Sequence, residues 1–350
     1  MEIYYYILFL LLLLSFLELV GVKFKPFFHI AVTVLLAVFL ALRYKVGNDY
    51  ISYEFIYSGI KEYGDFSYVE PVYIAICFLL PNFQYVIGFI SVLSMFFLYK
   101  IIAYYEARYF FVTLLAYFGA HFILYDIHLI RQGLSILIVV YAYRFVENNQ
   151  FKKYFLYTLV AFGLHTSAIV AFSIPFVKKI NLNSKNRIII IITSVVMYIF
   201  LFFGRGVFFS ILSVIPITAR YANVYNNDEY SISYGLSLGL LLDILLFLYY
   251  NYRVLKLDQR KIFLLNILTL SIAISIAFNS FAVIFRMGYY FRVVNVFLLA
   301  SLLYYIRPKL IIYLFICLYS YLYLEKSLTE GNGVRTLEYR NIITETRCAL

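Results

Sequence analysis

Polar residues interrupt an otherwise apolar chain at a few places, and their types suit phosphate and sugar chemistry. The densest run is Arg43-Tyr44-Lys45-Val46-Gly47-Asn48-Asp49-Tyr50-Ile51-Ser52-Tyr53. Gly47 and Asn48 permit a turn after an Arg that leaves a helix at the surface, and Asp49 can cap a new helix. Tyr50, Tyr53 and Tyr57 recur at helical spacing, as interfacial anchors or as a sugar-stacking face. Glu70-Pro71 opens the next apolar run. It is a helix start signal or a carboxylate placed for proton transfer. In Asp126-Ile127-His128-Leu129-Ile130-Arg131-Gln132-Gly133, Arg131 and Gln132 begin a helix, and an Arg beside helix N–H groups suits an anion. The bland alternative is an Asp126–Arg131 surface pair. His165-Thr166-Ser167 offers an imidazole that titrates near neutrality, a packed core histidine being the alternative. Arg286-Met287-Gly288-Tyr289-Tyr290-Phe291-Arg292 brings two more guanidinium groups, and a buried Arg292 requires a phosphate, a carboxylate or a carbonyl as acceptor. Asp243, in the middle of a span, is a proton relay or a hydrogen-bonded structural acid. His29 and His121 read as packing, His128 as interfacial, and Arg205 and Arg220 as solvated.

The elements that must hold these groups are membrane helices. Of 350 residues, 64% are hydrophobic and 13% charged, against roughly 45–50% and 25% in a soluble domain. That excludes an ordinary soluble enzyme, a disordered chain and a disulfide scaffold. Apolar runs near 4–20, 27–42, 83–100, 109–126, 130–147, 187–203, 234–250, 261–280, 288–306 and 309–324 have helical spanning length. Residues 4–20 lack a basic leader and a cleavage site and read as a retained anchor. The net charge of +11 belongs to short loops that set orientation, and nucleic acid is not an expected partner. Cys77, Cys317 and Cys348 are too few and too dispersed for a disulfide framework. Placing the basic connections Lys23/Lys25, Lys100–Arg108, Lys152/Lys153, Lys178–Arg187, Arg253–Lys261 and Arg307–Lys309 inside forces two irregularities. Residues 71–100 become one span plus a re-entrant half-helix ending near Pro81. Residues 153–177 become a helical hairpin turning at His165–Ser167. Such backbone survives at membrane depth only around protein or a water-filled cavity. The expectation is an all-α polytopic membrane protein of about 12 transmembrane helices. Residues 1–324 form a single membrane domain with external loops 43–70 and 204–233, and 325–350 form a polar tail. The polar clusters then collect on the external face.

The order Arg43…Val46-Gly47-x-Asp49-Tyr50-x-x-Tyr53, Glu70-Pro71-x-Tyr73, Ile130-Arg131-Gln132 and Leu164-His165-x-Ser167-Ala168 resembles the EpsG family. These are membrane proteins of exopolysaccharide and O-antigen assembly, similar in role to Wzy-type polymerases. The resemblance is close over about residues 1–180 and looser to about residue 306. It implies a polymerase in the bacterial inner (plasma) membrane with its active face external. The growing glycan on undecaprenyl pyrophosphate passes to a lipid-linked repeat unit, and a flippase and a chain-length regulator of the same pathway are partners.

On that reading the departing lipid pyrophosphate needs positive charge. Arg131, Arg286 and Arg292 are the expected clamp, supported by Arg43. Gln132, Tyr50, Tyr53 and Tyr290 complete the substrate contacts. His165, Asp49 and Glu70 are, in that order, candidates to accept the proton of the attacking hydroxyl. No metal-ligand constellation and no cofactor motif is present, so the expected catalysis needs neither. A lipid-linked oligosaccharide flippase, whose basic groups would line a central cavity, and an O-antigen ligase are the competing readings.

Overall fold

The computed structural model describes residues 2–67, 69–179, 182–204, 206, 207, 210, 213, 237–279, 281–329 and 337–344. Most of the expected loop 204–233, with Arg205 and Arg220, lies outside the described residues. Among the described residues the secondary structure is helical, and an isolated antiparallel bridge joins Arg43 to Asn341.

Two compact units are built from interleaved segments. The first comprises Met1–Arg144, Lys152–Ile169 and Leu299–Leu350. It contains α1 (Glu2–Leu19), α2 (Pro26–Leu42), α3 (Tyr50–Tyr63), α4 (Pro71–Leu79), α5 (Phe83–Tyr105) and α6 (Phe110–Tyr117). α6 runs on without a break into a π-helix, Phe118–His128. α7 (Ile130–Glu147) and α8 (Phe151–Leu164) follow. The second unit, Phe145–Phe151 and Val170–Leu298, contains α9 (Ile174–Lys179), α10 (Ser184–Phe203), α11 (Leu238–Tyr252), α12 (Gln259–Ala277), α13 (Ala282–Met287) and α14 (Tyr289–Arg292). α15 (Val294–Tyr305) leads back to the first unit, where α16 (Lys309–Leu328) lies.

Seven helices among the described residues are long and apolar enough to cross a membrane: Glu2–Leu19, Phe83–Tyr105, Ala107–His128, Ser184–Phe203, Gln259–Ala277, Ile284–Tyr305 and Lys309–Leu328. Pro26–Leu42 and Leu238–Tyr252 are apolar but shorter. The expected count of about 12 is not reached by these helices, although their positions follow the apolar runs. Side chains such as Phe9, Val34, Ile192 and Phe200 stay exposed on them, which suits surfaces whose solvent is lipid. Four helix starts among the described residues carry local polar caps. Asn82 accepts from Tyr85 N, Asn183 from Asn186 N, Ser237 from Leu240 N and Asp258 from Lys261 N.

Helices end near both places where an irregularity was expected. α4 is a helix of 9 residues, far short of the roughly 20 needed to cross. Its C-terminal carbonyls are met by α3: Lys61 Nζ donates to Phe78 O at 2.8 Å and Tyr57 donates to Leu80 O at 3.1 Å. α8 stops at Leu164, and a 3-10 stretch, Thr166–Ser173, follows. Further on, Lys178 Nζ donates to the carbonyls of Val146 and Glu147, both at 2.8 Å, so the chain comes back beside the residues that precede α8.

In the first unit α2 packs along α5, α1 along α6, and α16 along the π-helix. Three of the basic connections meet at one end of this unit, where Glu18, Lys23, His29, Arg108, Tyr109 and Lys309 border a cavity of about 570 Å³. In the second unit α12 is central, packing against α10, α11 and α14. There Arg187 donates to Asn266 and Asn251, and Arg260 lies 3.5 Å from Glu147. Connections that share a charge sign are thus grouped within each unit, as the positive-inside pattern requires.

Candidate functional site

Glu70 is the N-cap of α4, yet its carboxylate caps nothing in its own helix. Pro71, fixed in φ and lacking an N–H, starts the helix without that help. The freed carboxylate reaches two other segments. Its Oε2 accepts from Arg131 Nη1 at 2.6 Å, in the first turn of α7, and its Oε1 accepts from the amide of Thr166 at 3.0 Å. Glu70 therefore ties the start of α7 to the turn that follows α8.

That turn carries His165. Ser167 Oγ lies 2.6 Å from His165 Nδ1, and the Ser167 amide donates to the same nitrogen at 3.3 Å. Gln132, next to Arg131, donates through Nε2 to Ser167 Oγ at 3.2 Å. A second tie between α7 and the turn thus runs parallel to the Glu70 tie.

Aromatic rings enclose the guanidinium. Arg131 sits 5.1 Å from the Tyr53 ring centroid and 4.9 Å from that of Tyr73, in cation–π range. Burial pushes the Tyr53 hydroxyl up to about 12, with Arg131 opposing and the charges of Asp49 and Glu70 adding to the rise. Tyr53 consequently stays a neutral hydroxyl beside the Arg131–Glu70 pair, which spans side chains 13% and 9% exposed. Arg131 Nε is buried with no hydrogen-bond partner. In a low dielectric such a donor is costly unless something accepts from it.

A supporting layer lies beside this cluster. Gly47 has φ +111°, and an added Cβ would sit 2.5 Å from Ile127 O. Only glycine fits there, and the next amide, Asn48 N, donates to His128 Nδ1 at 2.9 Å. Gly133 in α7 is also pressed against the π-helix, at the Tyr125 carbonyl. The π-helix itself decides which side chains meet. Tyr117 donates to Asp126 Oδ2 at 2.8 Å across nine residues, which in an α-helix is about two and a half turns and the opposite face. The wider i→i+5 winding puts both on one face. Such winding is rare and clusters at functional sites.

Several expectations change in detail. Arg43 does not leave its helix at the surface. It is 1% exposed and donates through Nη1 to the Asp126 carbonyl. Burial pushes its guanidinium down to about 10, with Asp126 opposing. The tyrosine stripe of α3 faces inward: Tyr50, Tyr53 and Tyr57 are buried, and Tyr50 donates to Gln84 Oε1 at 3.3 Å. Asp49 is the N-cap of α3 but makes no side-chain cap bond. Asp126 and Arg131 do not pair, because each has a nearer partner in Tyr117 and Glu70. Arg286, Tyr290 and Arg292 belong to the second unit. Arg286 is exposed and Tyr290 fully buried. The acceptor that a buried Arg292 requires is Asp243, 3.1 Å away, whose other oxygen accepts from Asn295 Nδ2 at 2.9 Å. Asp243 is thus a bonded acid within its helices.

The chain's own residues supply partners that spacing alone did not single out. Ser167 stands two places from His165 and Tyr73 three from Glu70, and both were present in the motif order. Gln84, which donates to the carbonyls of Ala41 and Arg43 at 2.7 and 3.0 Å, had no local signal. Nor did Tyr339, whose ring stacks on Phe39 at 4.4 Å.

Comparison with known families matches residues 26–341 to the EpsG family. The chain belongs to the EpsG family. The match takes in α2 to α16, the whole cluster around Glu70, and the described tail as far as Asn341, well beyond the segment near residue 306 where the motif resemblance fades. No curated protein and no solved structure matches the chain.

Proposed function

We propose that this EpsG-family protein is a membrane glycosyltransferase of polysaccharide assembly, extending a glycan carried on a lipid pyrophosphate, with its site at the Glu70–Arg131–His165 cluster. A hydroxyl of a lipid-linked repeat unit attacks the anomeric carbon of the donor glycan. The new glycosidic C–O bond forms as the bond to the pyrophosphate oxygen breaks. The lipid pyrophosphate leaves with that electron pair, and the hydroxyl proton passes to a base.

The observation that carries this reading is that Glu70 holds Arg131 and the His165 turn together, one oxygen on each. A caged guanidinium beside an imidazole suits a reaction in which negative charge grows on a phosphate as a hydroxyl attacks. Arginine is apt because its fork can keep one edge on Glu70 and offer another to phosphate oxygens. Tyr53 and Tyr73 hold the guanidinium in cation–π range on two rings, which limits its motion. Such preorganisation is what lowers a barrier. The reading places the reaction on the external face of a bacterial inner membrane, and flippase and chain-length regulator are its expected partners.

The test is reconstitution of the full chain in vesicles with a lipid-pyrophosphate-linked repeat unit, with and without chelator, and product length read on a gel. Chains of many repeats are expected with or without chelator. Products that remain one repeat long would overturn the reading, and growth abolished by chelator would overturn a metal-free site.

A further inference from the structure

Hydrogen-bond direction around His165 fixes which ring nitrogen holds its proton. The backbone on both sides is pinned: His165 N donates to Ala161 O and Ala168 N donates to His165 O, both at 3.0 Å. Within this turn the Ser167 amide points at His165 Nδ1 at 3.3 Å. A backbone N–H only donates, so Nδ1 presents its lone pair. Ser167 Oγ, 2.6 Å from that nitrogen, then also donates to it, and is free to accept from Gln132 Nε2 at 3.2 Å. Every donor in the series Gln132, Ser167, His165 runs the same way.

A neutral imidazole has one N–H and one lone pair. With the lone pair at Nδ1 held by Ser167, the proton sits on Nε2. A ring in that state is unsuited to remove a proton from substrate, because its basic nitrogen faces inward onto two donors. It is suited to give a hydrogen bond.

The geometry points to His165 as the hydrogen-bond donor, through Nε2, to an oxygen of the departing phosphate, with Ser167 and Gln132 as positioning residues that hold its tautomer. This rests on the transfer reaction proposed above and reverses the sequence expectation that His165 accepts the hydroxyl proton. No proton need leave the ring: the pyrophosphate departs as an anion, stabilised by Nε2–H and by Arg131. The proton of the attacking hydroxyl passes to a carboxylate. Asp49, whose charge bears on Tyr53 beside the Arg131–Glu70 pair, is a carboxylate to test in that role.

The chain has four histidines, so imidazole-15N labelling of the full protein in lipid nanodiscs gives few signals, and His165→Gln assigns the one required. The expected long-range proton–nitrogen pattern is that of the Nε2–H tautomer. Ser167→Ala, which keeps the backbone amide donor and removes only the hydroxyl, is expected to keep that tautomer and to shift the Nδ1 resonance as one of its two donors is lost. An Nδ1–H pattern in the parent protein overturns the proposal. In the vesicle assay His165→Gln, which keeps an N–H donor without a basic nitrogen, is expected within roughly tenfold of the parent rate, while His165→Ala falls about 100-fold or more. Equal losses in both variants overturn the donor role. If the parent chain makes no polymer, the transfer reading fails, and the tautomer is still decided by the spectra.

Discussion

Two buried arginine–carboxylate pairs do different things in this molecule. In the first unit Arg131 meets Glu70 at 2.6 Å, and in the second Arg292 meets Asp243 at 3.1 Å. The other oxygen of Asp243 is taken by Asn295, a side chain of the neighbouring helix, so that pair fastens helices together. The other oxygen of Glu70 is taken by a backbone amide in the turn that carries His165, so that pair shapes a loop. Aromatic rings flank Arg131 on α3 and α4. The same ion-pair chemistry is used as cement in one place and as an aiming device in the other. What separates the two is the element that the carboxylate's second oxygen holds.

The largest expected effect comes from breaking the cement. Asp243→Ala would strand a buried guanidinium, and removing one partner of such a pair costs about 3–5 kcal/mol. The expected outcome is loss of folded protein, read as membrane protein level and thermal unfolding in detergent. Normal level and midpoint would deny this pair its structural role. Arg131→Ala also strands a carboxylate, Glu70, so protein level should fall here too; what sets it apart is polymer formation per folded molecule, down by about 100-fold to 1,000-fold, the scale for removing a donor aimed at developing charge, where Asp243→Ala should leave the folded fraction active. Equal loss of activity per folded molecule in both variants would erase the contrast.

Much of this contrast was legible in the residues and part of it was not. Long apolar runs announced Phe83–Tyr105, Ser184–Phe203, Gln259–Ala277 and Lys309–Leu328, because spanning length is a local property. Pro81 and His165 marked breaks for the same reason. Glu70, Arg131 and His165 were singled out by type and position, and Glu70 bonds both Arg131 and the turn that carries His165. The pairing of Asp243 with Arg292 was not readable, since each was noticed separately and nothing local links them. Arg43 misled because an arginine at the end of an apolar run usually emerges into water. Its burial depends on a carbonyl of the π-helix, and i→i+5 winding has no compositional signature. The polar tail also gave no sign that Tyr44 N would donate to Arg340 O at 2.9 Å.

A smaller effect sharpens the comparison on the first unit's side. If the Glu70 cluster is an aiming device, the layer behind it must be held closely. Gly47→Ala would force a Cβ into the Ile127 carbonyl at φ +111°, a strain of about 1–3 kcal/mol. The expected result is a modestly lowered unfolding midpoint together with weakened activity, as the Asn48–His128 bond shifts. Unchanged values for both would show that loop 44–49 adapts freely and does not support the site.

The smallest expected change tests how firmly the tail belongs to that layer. Tyr339→Phe keeps the ring stacked on Phe39 at 4.4 Å and removes only the hydroxyl that donates to Phe39 O at 2.8 Å. The loss should be about 1 kcal/mol. Burial pushes this hydroxyl up to about 12 from its ordinary value of 10.0, with Arg43 opposing. Because the folded value is raised, the stabilisation is fully present below pH 10 and lost as pH rises toward 12. The parent should therefore lead the variant by a constant margin through neutral pH and forfeit it in that alkaline window. A margin that instead changes between pH 6 and 9 would mean that a different group governs the tail's attachment beside Arg43.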